Sequence, residues 1–85
     1  MDEVSTKLDE LVATLVEPLI DKPDQLEVMA TTDDSKHMLI EIKVAPDDIG
    51  KVIGRQGRII KAIRTVARAA ASRQDLSVDV ELIDQ

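Results

Sequence analysis

A short segment between two predicted helices carries the residue types that bind phosphate. Gly54 and Gly57 flank Arg55 and Gln56, and Arg58 follows directly. Because glycine has no side chain, a sugar-phosphate backbone can approach the main chain closely at both positions. The segment also opens onto the first turn of the next helix, whose unpaired amides attract anions. The sequence therefore predicts a clamp for a phosphate backbone, with positive charge from the two arginines.

The helix predicted after this loop extends the positive surface. When its residues are placed at 100° intervals, its cations form a basic arc made of Lys61, Arg64 and Arg68, with Arg58 at the margin. The opposite, apolar arc consists of Ile59, Ile63, Val66, Ala67 and Ala70. We expect the apolar arc to pack on a sheet and the basic arc to face the ligand, while Lys51 adds charge at the same point. Ile60 falls at the edge of the apolar arc, near where a bound base would contact it.

Two other phosphate-binding motifs do not fit this segment. A P-loop requires four residues between its first two glycines and a lysine directly after the second. Here only three residues separate Gly50 from Gly54, and Arg55 follows. A dinucleotide fingerprint, which needs three glycines in the spacing G-x-G-x-x-G after a strand, does not occur.

Few side chains remain for catalysis. The chain has no cysteine and a single histidine, which excludes thiolate chemistry and a two-histidine zinc site. His37 lies at the start of a predicted strand near Asp33 and Asp34, and we interpret it as a solvated strand-end residue. The carboxylates of Asp47 and Asp48 are interpreted as partners of a helix dipole. The sequence predicts no enzyme, no metal site and no cofactor.

Charge is distributed unevenly over the 85 residues. Residues 43–74 hold eight basic and two acidic side chains, although the whole chain has a net charge of −6. A positive block inside an acidic protein indicates a local anion-binding surface rather than indiscriminate binding to nucleic acid. The alternative is a basic helix covered by the acidic remainder of the fold. The absence of Phe, Tyr and Trp excludes RRM, OB-fold and cold-shock domains, which stack bases on aromatic rings.

The hydrophobic pattern predicts the order α-β-β-α-α-β. Apolar residues at steps of three and four form a first helix that kinks or ends near Pro18. Alternation predicts strands around 26–30, 38–44 and 78–82, the second of them central. Two helices, one short and one running from after Gly57 to about Ser72, connect the second strand to the third. Because such crossovers are right-handed, those two strands should be parallel, giving a three-stranded mixed sheet with helices on one face.

The segment Val52–Ile60 resembles the KH-domain signature I-G-x-x-G-x-x-I, and its place between two helices resembles the type II, prokaryotic KH order. The loop and chain length are similar to those of the small bacterial KhpA family. This resemblance covers about 8–83 of a single domain spanning 1–85, and identifies 54–57 as the GXXG loop. It implies that Gly54, Arg55, Gln56 and Gly57 grip about four nucleotides of single-stranded RNA. Supporting phosphate contacts would come from Arg58, Lys61 and Arg64.

The family resemblance also implies partners and a role. KhpA proteins are implicated as RNA chaperones or post-transcriptional regulators, form homodimers, and pair with a larger KH protein, KhpB. They are linked to cell-wall homeostasis and cell shape. We expect a cytoplasmic protein without membrane insertion, because the N-terminus is acidic and no long apolar stretch is present. Single-stranded DNA is an open alternative ligand, and a KH-fold dimerisation or scaffold module with little nucleic-acid binding is the alternative function.

Overall fold

The chain folds into helices and strands in the order predicted from its sequence. The computed structural model describes residues 2–33 and 35–83. Within them, the helices are α1 (Asp2–Val16), α2 (Ile49–Ile53) and α3 (Arg58–Ser72), and the strands are β1 (Glu27–Thr32), β2 (His37–Lys43) and β3 (Ser77–Leu82). Short 3-10 turns connect them at Glu17–Leu19, Pro23–Gln25, Pro46–Asp48 and Arg55–Gly57. The α+β class and the α-β-β-α-α-β order are confirmed.

The three strands form one mixed sheet in the order β1-β2-β3. β1 pairs antiparallel with β2, and β2 pairs parallel with β3. Ile40, in the middle of β2, lies opposite Ala30 on one side and Val80 on the other. The parallel pairing arises because α2 and α3 carry the chain back along the sheet between the two strands. The prediction that the second strand is central is therefore confirmed.

The core lies between one face of this sheet and the helices. Side chains of β2 alternate, so that Met38, Ile40 and Ile42 are fully buried while their neighbours stay partly exposed on the other face. The other elements contribute Leu8, Val12, Val16, Val52, Ile60, Ile63, Ala67, Ala71, Val78 and Val80 to the same cluster. Burying each large aliphatic side chain contributes about 1.5–3 kcal/mol. The predicted helices on one face are confirmed, and the opposite face is open.

Pro18 marks the end of the first helix. α1 ends at Val16, and Pro18 lies in the 3-10 turn Glu17–Leu19. Proline cannot donate to the carbonyl of Thr14, and its ring crowds that carbonyl, so the α-helical ladder cannot continue. The chain then enters the core again at Ile20, which is buried. The predicted kink or last turn at Pro18 is confirmed.

Asp48 is a buried carboxylate that ties two distant segments together. Its Oδ1 accepts from the amide of Asp21 at 3.1 Å, and its Oδ2 accepts from the amide of Lys22 at 3.0 Å. Burial raises the pKa of Asp48, but the two amides and the Lys51 ammonium outweigh that effect and leave its pKa below the usual value. Asp48 lies at a helix start as predicted, and its oxygens in addition bind the segment after α1. Asp47 is exposed and pairs with Lys22 at 3.3 Å.

Candidate nucleic-acid interface

The glycine loop is a tight reversal between α2 and α3. The amide of Gly54 donates to the carbonyl of Gly50 at 2.9 Å, and the amide of Gly57 donates to the carbonyl of Gly54 at 3.1 Å. Gln56 has φ 58° and ψ 24°, a left-handed conformation that is uncommon for a residue other than glycine. Arg55 and Gln56 are both exposed. A locally strained turn that presents polar side chains to solvent is typical of a functional loop.

The two loop glycines are required for different reasons. Both have positive φ, 77° at Gly54 and 73° at Gly57. A Cβ at Gly54 would lie 2.5 Å from Cγ1 of Ile59, so the Ile59 side chain packs directly on this glycine. A Cβ at Gly57 would meet only the Cε of Lys61, at 3.8 Å. Gly54 therefore serves packing inside the domain, whereas Gly57 leaves open space in which a ligand backbone can approach.

Three cations at the loop have no carboxylate partner among the described residues. They are Arg55, Arg58 and Lys61, and none of them takes part in the ion pairs of that part of the chain. Nη2 of Arg58 donates to Oε1 of Gln56 at 3.3 Å, which links the loop to the first residue of α3. The three cations and Gln56 are exposed. The positive charge of the cations is therefore available to an incoming anion.

Lys51 has a different environment from the other predicted cations. Its Nζ lies 3.3 Å from a carboxylate oxygen of Asp21 and 3.5 Å from Oδ1 of Asp48. The hydrogen bond and charge of Asp21, followed by those of Asp48, raise the pKa of Lys51. The ammonium thus neutralises carboxylates beside α2. Its role in binding nucleic acid stays a prediction.

α3 is rotated about its axis relative to the orientation that its apolar arc predicted. Its buried side chains are Ile60, Ile63, Ala67 and Ala71. Val66 is 42% exposed and Ile60 only 7%, so the placement of Val66 in the core and Ile60 beside a base was wrong. The buried arc is centred about 60° from the predicted one. The small side chains of Ala67 and Ala71 let the helix backbone approach the sheet closely, and this contact sets the rotation.

The rotation places the basic arc along the free edge of β3. There α3 and β3 border an open groove of about 510 Å³, lined by Lys61, Arg64, Thr65, Arg68, Asp79, Val80 and Glu81. Nε of Arg64 donates to the carbonyl of Val80 at 2.9 Å across this groove. Nη2 of Arg68 lies 3.7 Å from Oδ1 of Asp79. The structure therefore brings Arg64 to the sheet edge and Lys61 to the loop, while Arg68 faces a carboxylate.

The groove-lining residues of β3 were missed by the sequence reading. Asp79 and Glu81 stand at alternate positions of a predicted strand, which indicates only that they share a face. Which helix would run beside that strand, and in what register, depends on packing between segments about 15 residues apart in sequence. The four acidic residues after residue 74 were the available signal that carboxylates would border the positive block.

His37 belongs to a small polar network on the open face of the sheet. Its Nδ1 lies 2.8 Å from Oγ of Ser77, and its Nε2 lies 3.1 Å from a carboxylate oxygen of Asp79. Its amide donates to Oδ1 of Asp33 at 3.2 Å, as its predicted position beside Asp33 suggested. Asp34, the other predicted neighbour, lies outside the described residues. The network joins β2 to β3, so His37 is more constrained than a solvated strand-end residue.

Two kinds of site do not occur in the part of the chain that the structure describes. No group of three or more His, Cys, Asp or Glu side chains there is arranged to hold a metal ion. No helix in the same ranges is long and apolar enough to cross a membrane.

Comparison with known proteins matches this arrangement to one family. The model of the KH domain of KhpA/KhpB matches residues 9–82. The chain belongs to the KhpA/KhpB family of KH domains. This assignment confirms the resemblance predicted from the GXXG loop and the order of the elements.

Curated members of the KhpA/KhpB family resemble the chain over most of its length. A protein of Clostridium acetobutylicum named RNA-binding protein KhpA is 47% identical over 76 residues, which are 89% of this chain and all of that protein. One of the same name from Caldanaerobacter subterraneus is 49% identical over 76 residues, with the same coverage. A KhpA from Listeria monocytogenes is 36% identical over 77 residues, 91% of this chain and all of the relative.

Solved structures with the same fold include Era proteins. Era in complex with MgGDPNP and nucleotides 1506–1542 of 16S ribosomal RNA superposes with a TM-score of 0.60 at 20% identity. The match covers 96% of this KhpA/KhpB family member but only 32% of the Era chain. Aquifex aeolicus Era bound to GDP and AlF4⁻ gives 0.59, also at 20% identity, and covers 95% of this chain and 32% of that one. This likeness establishes the fold.

Proposed function

We propose that this protein binds single-stranded RNA, gripping the phosphate backbone with its GXXG loop. One observation carries the proposal: the open space at Gly57 lies beside Arg55, Arg58 and Lys61, none of which has a carboxylate partner among the described residues. Close approach of a backbone and unneutralised positive charge are what a phosphate clamp requires. Relatives that the chain matches over about nine tenths of its length are named RNA-binding proteins.

The groove between α3 and β3 is the proposed site for the bases. It starts at Lys61, one turn into the helix that begins at the loop, and follows β3. Nucleotides held at the loop by their phosphates would direct their bases along this groove. With no aromatic ring in the chain, recognition would rest on apolar packing and hydrogen bonds to base edges.

Binding by the isolated protein should be weak and dependent on salt. Two to four contacted phosphates give a slope of log K against log salt of about −1.5 to −3. The net charge of −6 opposes long-range attraction of RNA, which lowers the association rate. Fluorescence anisotropy with a labelled eight-nucleotide RNA at 50 and 200 mM salt measures this slope, and the DNA of the same sequence tests the alternative ligand. A binding curve that does not change with salt would contradict the phosphate clamp.

An apolar hollow between α1 and α3 supports dimerisation as part of the proposal. The hollow measures about 280 Å³ and is lined by Leu15, Leu19, Arg58, Ile59, Ala62, Ile63 and Val66. Val66, which the rotation of α3 leaves 42% exposed, lies on its rim. Covering this surface with a second copy would bury apolar area and would double the number of clamps, which raises avidity for one RNA strand. A KhpB-type KH protein is the alternative partner for the same surface.

Val66→Glu is expected to convert the proposed dimer to monomer, because a carboxylate would be buried against apolar side chains at the interface. Sedimentation equilibrium at about 10–100 µM, the range of a weak dimer, measures this change. Met29→Glu is the matched control, since Met29 is 43% exposed but lies on the sheet. A wild-type protein that is monomeric throughout this range would contradict the proposed homodimer. A dimer that persists in Val66→Glu would mean that the interface lies elsewhere.

The cellular role that we propose is that of an RNA chaperone or post-transcriptional regulator in the cytoplasm, acting with a KhpB-type partner and linked to cell-wall homeostasis and cell shape. This part rests on family membership. Weak contacts limited to a few phosphates suit it, because they allow rapid exchange between RNA strands. Deleting the gene and restoring it with a loop variant would test whether cell shape depends on RNA binding.

A second candidate function is a KH-fold dimerisation or scaffold module with little intrinsic binding of nucleic acid. The exposed hollow favours it, since its lining is apolar except for Arg58 and such a surface fits a protein partner. The two functions are separated by combining the anisotropy and sedimentation experiments. A stable dimer that gives no anisotropy change with RNA at 50 mM salt would establish the scaffold and end the proposal of RNA binding.

A further inference from the structure

Arg64 is held differently from the other cations of the basic arc. Its side chain is partly buried, and its Nε donates to the carbonyl of Val80 at 2.9 Å. A guanidinium carries five N–H donors in a rigid fork. One hydrogen bond at Nε therefore orients the plane of the guanidinium and leaves its Nη donors for other partners. Within the described residues, no carboxylate lies within ion-pair distance of Arg64. A fixed fork, whose Nη donors have no partner among the described residues, therefore lies in the groove between α3 and β3.

The free edge of β3 forms the other wall of the groove beside Arg64. The amides of Ser77 and Ile83 donate to carbonyls of the chain around β2, which shows that odd-numbered residues of β3 pair inward. By the alternation of a parallel ladder, the amides and carbonyls of Val78, Val80 and Leu82 point to the free edge. The contact from Arg64 to the Val80 carbonyl is consistent with this direction. Arg64 thus uses one lone pair of the Val80 carbonyl, and the Val80 amide at the same edge remains a donor.

Charge in the groove argues against a phosphate next to Arg64. Asp79 and Glu81 line the same groove, and Arg68 lies close to Asp79. A phosphate drawn to Arg64 would face two carboxylates, whereas at Arg55 and Arg58 it would face none among the described residues. A neutral base has no such penalty, and a carboxylate can accept a hydrogen bond from its exocyclic amino group.

We propose that Arg64 reads a base and selects one with two adjacent acceptors, namely N3 and O2 of cytosine or O6 and N7 of guanine. The paired Nη donors match two neighbouring acceptors, as arginine does at guanine in DNA. Adenine places an amino donor beside each acceptor of its exposed edges, and uracil separates its two acceptors by N3–H. Arg64 is thus a specificity-determining residue rather than a phosphate contact. This inference rests on the proposed function, since it requires RNA in the groove.

The test uses the full chain and four RNA heptamers of sequence UUUXUUU, with X being C, G, A or U. We expect the C and G heptamers to bind about tenfold more tightly than the A and U heptamers, the size of one good bidentate contact. Arg64→Lys keeps the charge but loses the fork, and should reduce that preference below about twofold. Arg73→Lys, an exposed arginine at the end of α3, is the control and should keep the preference.

Two results would overturn the inference while leaving the proposed function in place. One is a preference that survives Arg64→Lys in a protein that melts like the wild type. The other is an Arg64→Ala variant that binds all four heptamers equally less well, with the salt slope reduced by about 0.7, as expected for one lost phosphate contact. If the wild type binds none of the heptamers at low salt, the proposed function itself fails.

A measurement on the unmodified protein gives an independent answer. In an NMR spectrum of the arginine Nε–H groups, the Arg64 signal should be protected from exchange because it donates to Val80. We expect it to stay protected when the C heptamer is added and the side-chain Nη signals to shift, with smaller changes for the A heptamer. Loss of protection with every heptamer would mean that Arg64 leaves the strand edge on binding, which contradicts the inference.

Discussion

Replacing both Arg55 and Gln56 by aspartate is expected to lower the affinity for single-stranded RNA by at least about 100-fold, roughly 2.8 kcal/mol. The exchange turns one positive charge into two negative ones at the tip of the GXXG loop, where the phosphates are proposed to lie. Both side chains are exposed and neither forms part of the core. The melting temperature should therefore stay within a few degrees of the wild type. Anisotropy with the labelled eight-nucleotide RNA and thermal unfolding by circular dichroism measure the two effects.

The chain offers a matched control for this variant. Arg73 and Gln74 repeat the same pair of residue types directly after α3, and both are exposed. Replacing them by aspartate changes the net charge identically but away from the loop. RNA affinity should then fall by only the small factor due to general repulsion. Equal losses in the two double variants would show that only net charge matters, and would contradict a clamp at the loop.

Gly54→Ala should be the most destabilising substitution in the loop. The new Cβ would lie 2.5 Å from Cγ1 of Ile59, and the backbone would hold alanine at φ 77°. With ψ at 174°, this is a backbone region that essentially only glycine occupies, so the strain costs about 1–3 kcal/mol, and overpacking adds about 1–3 kcal/mol. At about 4–8 °C per kcal/mol for a domain of this size, that sum lowers the melting temperature by at least about 10 °C. Thermal unfolding monitored by circular dichroism measures the loss.

The other two glycines provide graded controls. Gly57→Ala has left-handed strain, at φ 73° and ψ 16°, without the clash, and should cost about 1 kcal/mol. Gly50→Ala meets no atom within 4 Å in α2, and should be neutral or stabilising by up to about 1 kcal/mol. Ile59→Ala in the Gly54→Ala background should recover part of the loss, because it removes Cγ1 and Cδ1 of Ile59, the two nearest contacting atoms, and leaves only the Cβ at 2.9 Å. If Gly54→Ala and Gly57→Ala are equally destabilised, Ile59 has no special contact with Gly54.

The sequence was sufficient for the order of elements, the loop and the family, because each depends on local signals. Strand alternation marked β2 as central, Pro18 marked the end of α1, and the spacing of Gly54 and Gly57 marked the turn. These features are determined by residues within a few positions of one another. The KH signature added a specific family to this pattern, which the match over residues 9–82 confirms.

The orientation of α3 could not be predicted because the helix packs against both the sheet and α1. The apolar arc read from the sequence includes Val66, but close packing of Ala67 and Ala71 on the sheet turns the helix by about 60°. That rotation has two consequences for function. It moves Arg64 to the edge of β3, and it leaves Val66 at the surface beside α1.

Long-range polar contacts were also beyond the sequence. Asp48 binds amides 26 and 27 residues away, and the side chain of His37 contacts that of Ser77 across 40 residues. Both contacts require the final placement of loops and strands. For the same reason, Lys51 was grouped with the loop cations, although Asp21 and Asp48 surround its ammonium in the structure.

The most direct test of the central claim is an NMR titration of ¹⁵N-labelled protein with a short single-stranded RNA at low and at moderate salt. We predict amide shifts concentrated in residues 54–61, which decrease as salt rises because counterions compete for the phosphates. Shifts along β3 should accompany them if the bases occupy the groove. No shift in residues 54–61 at low salt would contradict the clamp, and would leave the basic arc as a surface for a protein partner.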